Sequence, residues 1–569
     1  MLLRYWHTLR HLRPVQLYGR FWFRLYRPRL DERLAPPLRR LEPHWATPVA
    51  RPVSLLGPET LRLLNEEHRV AGSADWNHPR RDQLWLYNLS YFDDLNAVEA
   101  PTRANWQRAL LRRWVAENPP GIGTGWEPYP TSLRIVNWVK WALAGNALPP
   151  DCLHSLAVQA RWLRRRMEYH LLGNHLLANA KALVFAGSFF HGDEADAWRA
   201  QGRGILSAQL CEQVLPDGGH CERSPMYHAI LLEDVLDLVN LATAYPATID
   251  PGSLGFYRDQ AQLMAQWLQA LCHPDGEIAF FNDAALGIAP TLVQLIDYGR
   301  RLGLRPAESA ADGLVWLRES GYLRLTRGPA VALLDVAPIG PDYLPGHAHA
   351  DTLSFELSLF GRRVIVNGGT SRYGSGPERL AERGTAAHST VQIDGADSSE
   401  VWGGFRVARR ARPLDVRVDP VPHLDLVALR GSLGRPGARP PATPSPDGPL
   451  LASAAHDGYR RLPGRPLHRR TWELTPGRLT VTDRIEGVFS EATARFHLHP
   501  EVVAEGTSER GRLHLPGGRI VRWQVSGGQA RIVADQWHPQ FGLSLPAQCL
   551  EVVLTGDGCR LELDWVIWT

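Results

Sequence analysis

The sequence predicts a multidomain α+β chain: an N-terminal α/α toroid, an incomplete barrel of helical hairpins, followed by a C-terminal antiparallel β-sandwich. Three observations support this. At 569 residues the chain exceeds the size at which one hydrophobic core keeps growing. From about residue 80 to 310 apolar residues recur at three- and four-residue spacing, the period of helices with one buried face. Beyond about residue 315 the pattern becomes short alternating or β-branched runs, separated by turn residues. The expected divisions are a helical extension over 1–80, the toroid over 81–312 and the sandwich over 313–569.

The extension begins MLLRYWHTLRHLRPVQLYGRFWFRLYRPRL. Arg, His or Pro interrupts every short apolar stretch, so no secretory signal is recognisable, and no run approaches a membrane span. The expectation is a helix packed on the body, with a basic amphipathic helix on a membrane or partner as the alternative. A cytoplasmic location is the default, with a periplasmic one as the alternative. The helical region follows in segments such as TSLRIVNWVKWALAG, NHLLANAKALVFAGSFF and AILLEDVLDLVNLATAYP, separated by Gly- and Pro-rich breaks. Stacked helical hairpins account for that rhythm. The β region reads as GYLRLTRG, AVALLDVAP, LSFELSLFGRRVIVNGG, STVQIDG, LDLVALRGSL, RLTVTDRIEG, ARFHLHP and LEVVLTG. A Pro/Gly-rich stretch at 434–449 is expected to be an exposed loop.

Composition narrows the function class. Hydrophobic residues make up 44% and charged residues 21%, as in ordinary globular proteins. A net charge of +4, with Arg scattered along the chain, carries no nucleic-acid signature. Twenty Trp leave two readings open, stacking on sugar rings or burial for area alone. The six cysteines form no CxxC pair; free buried thiols are expected, with a Cys211–Cys221 bridge as the alternative.

Polar clusters interrupt these segments. Gly173-Asn174-His175 opens an apolar helix, where Asn also suits an N-cap. Asp217 to His228 packs Glu222, Arg223, Tyr227 and His228 into a short run before another helix. His347, His349 and Asp351 form H-x-H-x-D, which on a strand would share one face and offer proton carriers or metal ligands. His388 enters a further strand-like run.

These clusters resemble the heparinase II/III-like superfamily of polysaccharide lyases, which includes heparinases and alginate and oligoalginate lyases. The resemblance rests on Asn174-His175, E-R-S-P-M-Y-H at 222–228, H-x-H-x-D-x-x-S-F-E-L at 347–357 and G-T-x-A-H-S-T-V at 384–391, and covers the chain from about residue 80. It implies a toroid followed by a sandwich, and β-elimination on an acidic, uronate-containing polysaccharide or oligosaccharide. By resemblance, Asn174 neutralises the substrate carboxylate with help from His347. Tyr227 is the acid and, in syn elimination, also the base, with His175 as the alternative base. Trp126, Glu127, Arg134, Glu222, Arg223 and His228 are expected substrate contacts. No cofactor is required. A structural divalent metal such as Zn or Ca is implied at His349, Asn367 and His388, although neutral Asn is a poorer zinc ligand than Asp and Asp351 or a water would have to complete the site.

Two other classes stay open. A toroidal glycoside hydrolase would need two carboxyl groups facing each other across the cleft, for which Glu127, Glu222 and Asp283 are available. A non-catalytic glycan-binding or assembly protein would keep the fold without turnover.

Overall fold

The computed structural model describes residues 2–41, 44–305, 312–420 and 448–565. Its long helices precede residue 302 and its main sheets follow residue 312, an α/α toroid followed by an antiparallel β-sandwich that also holds the short helix Pro377–Arg383. The last toroid helix is Leu292–Arg301 and the first sandwich strand is Gly313–Leu317.

The toroid is built from antiparallel hairpins. Gly173–Phe189 packs along Asp193–Gln213, and Pro225–Ala244 along Pro251–Ala270. The inner helices are apolar nearly all round because they are covered on both sides, unlike a surface helix with a single apolar stripe. Gly202 explains how close the first pair can come: a Cβ there would lie 2.6 Å from the Ala180 carbonyl oxygen. Tryptophans fill the remaining volume. Trp76, Trp85, Trp114, Trp138, Trp141, Trp198 and Trp267 are fully buried, so in the toroid the area reading of this residue is the correct one.

The sandwich consists of an eight-stranded and a nine-stranded sheet, whose ladders are antiparallel. Most strand-like runs form strands as expected: Tyr322–Arg327, Ala330–Asp335, Phe355–Leu359 with Arg362–Val366, Val391–Ile393, Arg478–Glu486, Ala492–Leu498 and Leu543–Leu554. The run LDLVALRGSL and the loop expected at 434–449, apart from its last two residues, lie outside the described residues. The first four strands of the nine-stranded sheet are buried on both faces, one against the opposite sheet and one against the toroid. That double burial suits the apolar runs GLVWL and AVALLD, whereas Tyr322–Arg327 and Phe355–Leu359 alternate and bury Arg324 and Glu356 against toroid partners, the Cys272 carbonyl oxygen and His273.

The extension joins both halves. Gln16 donates to the Tyr343 carbonyl oxygen at 2.9 Å, and Trp402 Nε1 donates to Thr8 Oγ1 at 3.1 Å. A hairpin, Thr60–Leu63 with Glu66–Arg69, reaches the sandwich through Asn65, which donates to the Phe541 carbonyl oxygen at 2.8 Å. All six cysteines are free thiols, so Cys211 and Cys221 are not bridged. Among the described residues no helix is long and apolar enough to cross a membrane.

Candidate active site

A cavity of about 700 Å³ lies where the toroid meets the sandwich, and Asn174, His175, Tyr227 and His347 all line it. Local chain geometry delivers each of them. Leu172 and Gly173 have φ of 63° and 53°, a sharp entry that places Asn174 at the start of its helix. A Cβ on Gly173 would collide with the Leu344 side chain. The Asn174 amide side chain has no protein partner among the described residues, and it faces the cavity. Tyr227 sits in the first turn of Pro225–Ala244, where Ser224 caps the helix by accepting from the Tyr227 N–H at 3.2 Å.

Tyr227 and His347 pack ring to ring, centroids 3.9 Å apart and planes 31° apart. The Tyr227 hydroxyl shares a 2.8 Å hydrogen bond with Tyr373. Burial raises the pKa of both phenols well above 10, with the Asp283 carboxylate adding to the shift, so both stay protonated. His347 Nδ1 lies 2.8 Å from Asp283 Oδ2, and its Nε2 lies 3.7 Å from Glu222 Oε2. Burial alone would raise the Asp283 pKa. The Arg379 guanidinium, forked onto both oxygens, and the His347 and His349 rings outweigh it and hold the carboxyl well below its usual range.

The toroid side carries a second imidazole. His175 Nδ1 is 3.2 Å from Glu168 Oε1, and Glu168 is held in turn by Asn179, which donates to it at 3.1 Å. Burial would lower the His175 pKa, but Glu168, with Glu222 and Glu127 behind it, raises it above the ordinary 6.5. Glu168 thus favours the protonated form of the His175 ring. Deeper on this side, Arg51, Lys140 and Lys181 interleave with Glu233, Asp234 and Asp237, Lys181 touching both aspartates at 2.6 Å. The floor is thus charged but internally paired.

Several expected contacts lie elsewhere. Trp126 is buried and donates to the Asn118 carbonyl oxygen, while Arg134 lies over the Trp114 ring and bonds Gln159 and the Ser90 carbonyl oxygen. Glu127 accepts from Tyr87, which lines the cavity in its place. His228 stacks on Trp267 and meets the Met264 carbonyl oxygen, as a core residue would. Arg223 donates to the Ser320 carbonyl oxygen at the domain junction. Glu222 is buried behind the cavity wall, where burial raises its pKa. Besides Tyr227, the cavity's aromatic lining is Tyr and Phe: Tyr87, Tyr91, Tyr129, Tyr373, Phe405 and Phe541. Among the described residues no tryptophan lines it, so the sugar-stacking reading finds no support there.

The H-x-H-x-D segment is a loop and not a strand, yet its three side chains converge. His347 and His349 take the two oxygens of Asp283, and Asp351 accepts from the Asn282 N–H. His349 Nδ1 and His388 Nε2 meet at 3.1 Å, and burial lowers the pKa of both rings. Asn367 does not complete a metal site with them. Its amide donates to the Phe280 carbonyl oxygen and Ser354, and its oxygen accepts from the Ser389 N–H. The remaining ring nitrogens are also engaged, His349 Nε2 by Asp283 and His388 Nδ1 by the Gly384 carbonyl oxygen. The donor set fits a hydrogen-bonded core better than an ion. A different β-domain group, His497, Asp535 and Cys549, brings its donor atoms within 4.8 Å of one another and is a candidate structural metal site.

Tyr373 and Arg379 are site residues that motif reading missed, and Asp283 was named only as a carboxyl group for the hydrolase alternative. Lys140 and Lys181 had a signal, each a lysine within a largely apolar helix.

Comparison with known proteins agrees with this architecture. Residues 75–298 match the family model "Heparinase II/III N-terminus", and residues 310–566 match "Heparinase II/III-like, C-terminal". A heparin-sulfate lyase of Bacteroides stercoris is 26% identical over 251 residues, covering 40% of this chain and 36% of that protein, so the match spans about a third of the lyase's length. FtsZ-localized protein C of Caulobacter vibrioides is 24% identical over 492 residues, covering 82% of this chain and 78% of its own. The crystal structure of Heparinase III superposes with a TM-score of 0.66 at 17% identity, covering 87% of this chain and 79% of that one.

Proposed function

Because the chain belongs to the heparinase II/III-like family, we propose that it is a polysaccharide lyase cleaving a uronate-containing glycan by β-elimination. The observation that carries this reading is the Tyr227–His347 pair, held by Asp283, in one cavity with an unpaired Asn174 amide and a His175 whose pKa Glu168 raises. Elimination removes a C5 proton that is weakly acidic while the neighbouring carboxylate is charged. In the proposed arrangement Asn174 and the His175 cation bind that carboxylate and favour the developing dianion.

Asp283 accepts the Nδ1–H of His347, which leaves the Nε2 lone pair free to take the C5 proton, as a carboxylate orients a general base. The electrons form the C4–C5 double bond and the C4–O4 bond breaks. Tyr227, protonated at rest, donates its phenolic proton to O4. The adjacent His347 cation then returns a proton to the Tyr227 oxygen, resetting both groups. With donor and acceptor packed against one another, this geometry favours syn elimination. His175, tied to Glu168, acts as a charge and not as the base.

The hydrolase reading finds little support. Glu127 is turned to Tyr87, Glu222 is buried, Asp283 is clamped by Arg379, and the floor carboxylates are paired with cations. A second reading, a fold kept for a non-catalytic role, is favoured by the match over most of the chain to a relative named for FtsZ localisation. A panel of uronate polysaccharides, sulfated and unsulfated, separates the two. The lyase reading expects ultraviolet-absorbing unsaturated ends from at least one substrate, and their loss in Asn174→Ala. Binding without product across the panel would favour the second.

A further inference from the structure

Beyond the cavity, the most unusual surface belongs to the N-terminal extension. Residues 1–30 contain seven arginines and no aspartate or glutamate, although the whole chain carries only +4. Two short helices occupy this stretch, Leu2–Leu9 and Pro14–Leu25. Each is fastened to the body by one face. In the second helix Val15, Gln16, Gly19 and Phe23 point inward: Gln16 bonds the Tyr343 carbonyl oxygen and Phe23 packs on His170. In the first, Tyr5 and Thr8 meet Trp402.

The opposite face is apolar as well. Leu17, Phe21 and Leu25 recur at four-residue spacing, flanked by Tyr18 and Trp22, and Phe21, Trp22 and Leu25 are 73%, 63% and 74% exposed. On the first helix Trp6 and Leu2 are likewise exposed, at 62% and 88%. A globular surface seldom leaves so many large side chains contiguous and wet. Around them Arg4, Arg10, Arg20, Arg24, Arg27 and Arg29 are exposed, and none forms an ion pair among the described residues.

We propose that this face docks on the surface of an anionic lipid bilayer, the two helices lying in the plane of the headgroups. The composition selects that occupant. Trp and Tyr favour the interface between headgroups and acyl chains, and unpaired arginines beside them are complementary to lipid phosphates. A protein partner or a second copy would have to supply many carboxylates, and this chain's own extension supplies none over its first thirty residues.

The test is co-sedimentation of the full chain with vesicles of phosphatidylcholine alone or mixed with phosphatidylglycerol. The account expects pelleting with the anionic vesicles, weakened by salt as the charges are screened, and little with phosphatidylcholine alone. Leu17→Glu/Phe21→Glu/Leu25→Glu should reduce the bound fraction by about tenfold or more. Circular dichroism and thermal unfolding matching wild type would show that the variant is folded. As a milder variant, Arg20→Gln/Arg24→Gln/Arg27→Gln should lose the preference for anionic vesicles. Wild-type protein left in the supernatant at low salt, or a folded Glu variant that pellets equally, overturns the proposal. A wild-type dimer that the Glu variant makes monomeric, with no vesicle binding, overturns it in favour of self-association.

Discussion

The two walls of the cavity each present a histidine backed by a carboxylate, yet the carboxylates are held differently. Asp283, behind His347, is gripped by Arg379 and a second imidazole, so its charge is neutralised before His347 meets it. Glu168, behind His175, has among the described residues only the Asn179 amide as a further side-chain partner, so its charge is left for the imidazole. In the proposed mechanism the same residue pair therefore has two uses: the neutralised carboxylate would orient a base, and the unneutralised one would favour a cation.

The largest effect should come from removing the proton donor on the His347 wall. Tyr227→Phe keeps the ring and its packing on His347, and should lower kcat by roughly 10²–10⁴ with little change in thermal stability. A comparable fall in KM affinity with kcat intact would assign Tyr227 to binding. Next, Asp283→Asn removes the anion from a buried cluster and leaves Arg379 without its counterion. It should cost about 3–5 kcal/mol in unfolding free energy as well as activity, whereas Glu168→Gln on the more open wall should cost clearly less stability.

Glu168→Gln sharpens the contrast through pH. His175 has a raised pKa in the folded state, so its share of stability is fully present below about 6.5, the ordinary histidine value, and is lost as pH rises through the folded value. If the His175 cation binds the substrate carboxylate, kcat/KM falls on the alkaline side through that same titration. The Gln variant should move this limb to lower pH; an unmoved limb would remove His175 from carboxylate binding. The smallest effect belongs to Glu127→Gln, which alters a residue turned away from the cavity and should leave kcat within about twofold of wild type. A collapse there would revive a hydrolase with Glu127 as its acid.

Much of this was legible in the sequence because helix and strand periods report which side of an element is buried. Asn174, His175, Tyr227 and His347 reach one cavity as their motifs suggest. What periodicity does not report is how many sides are covered. Arg134 and His228 look like polar groups beside a motif, but both lie in the interior, one over Trp114 and the other on Trp267. The alternation in H-x-H-x-D suggested a strand, whereas the segment is a loop folded over Asn282–Asp283. Asp283, Tyr373 and Arg379 carry no local signal, since their roles arise from contacts spanning 64 to 146 residues.

The most direct test of the elimination chemistry is cleavage in water enriched in heavy oxygen, followed by mass spectrometry of the products. The account predicts unsaturated ends, product masses that sum to that of the substrate once exchange at the new reducing end is allowed for, and no heavy oxygen in the unsaturated end. One heavy oxygen in a product, with one water added overall, would mean hydrolysis and would contradict the roles given to Tyr227 and His347.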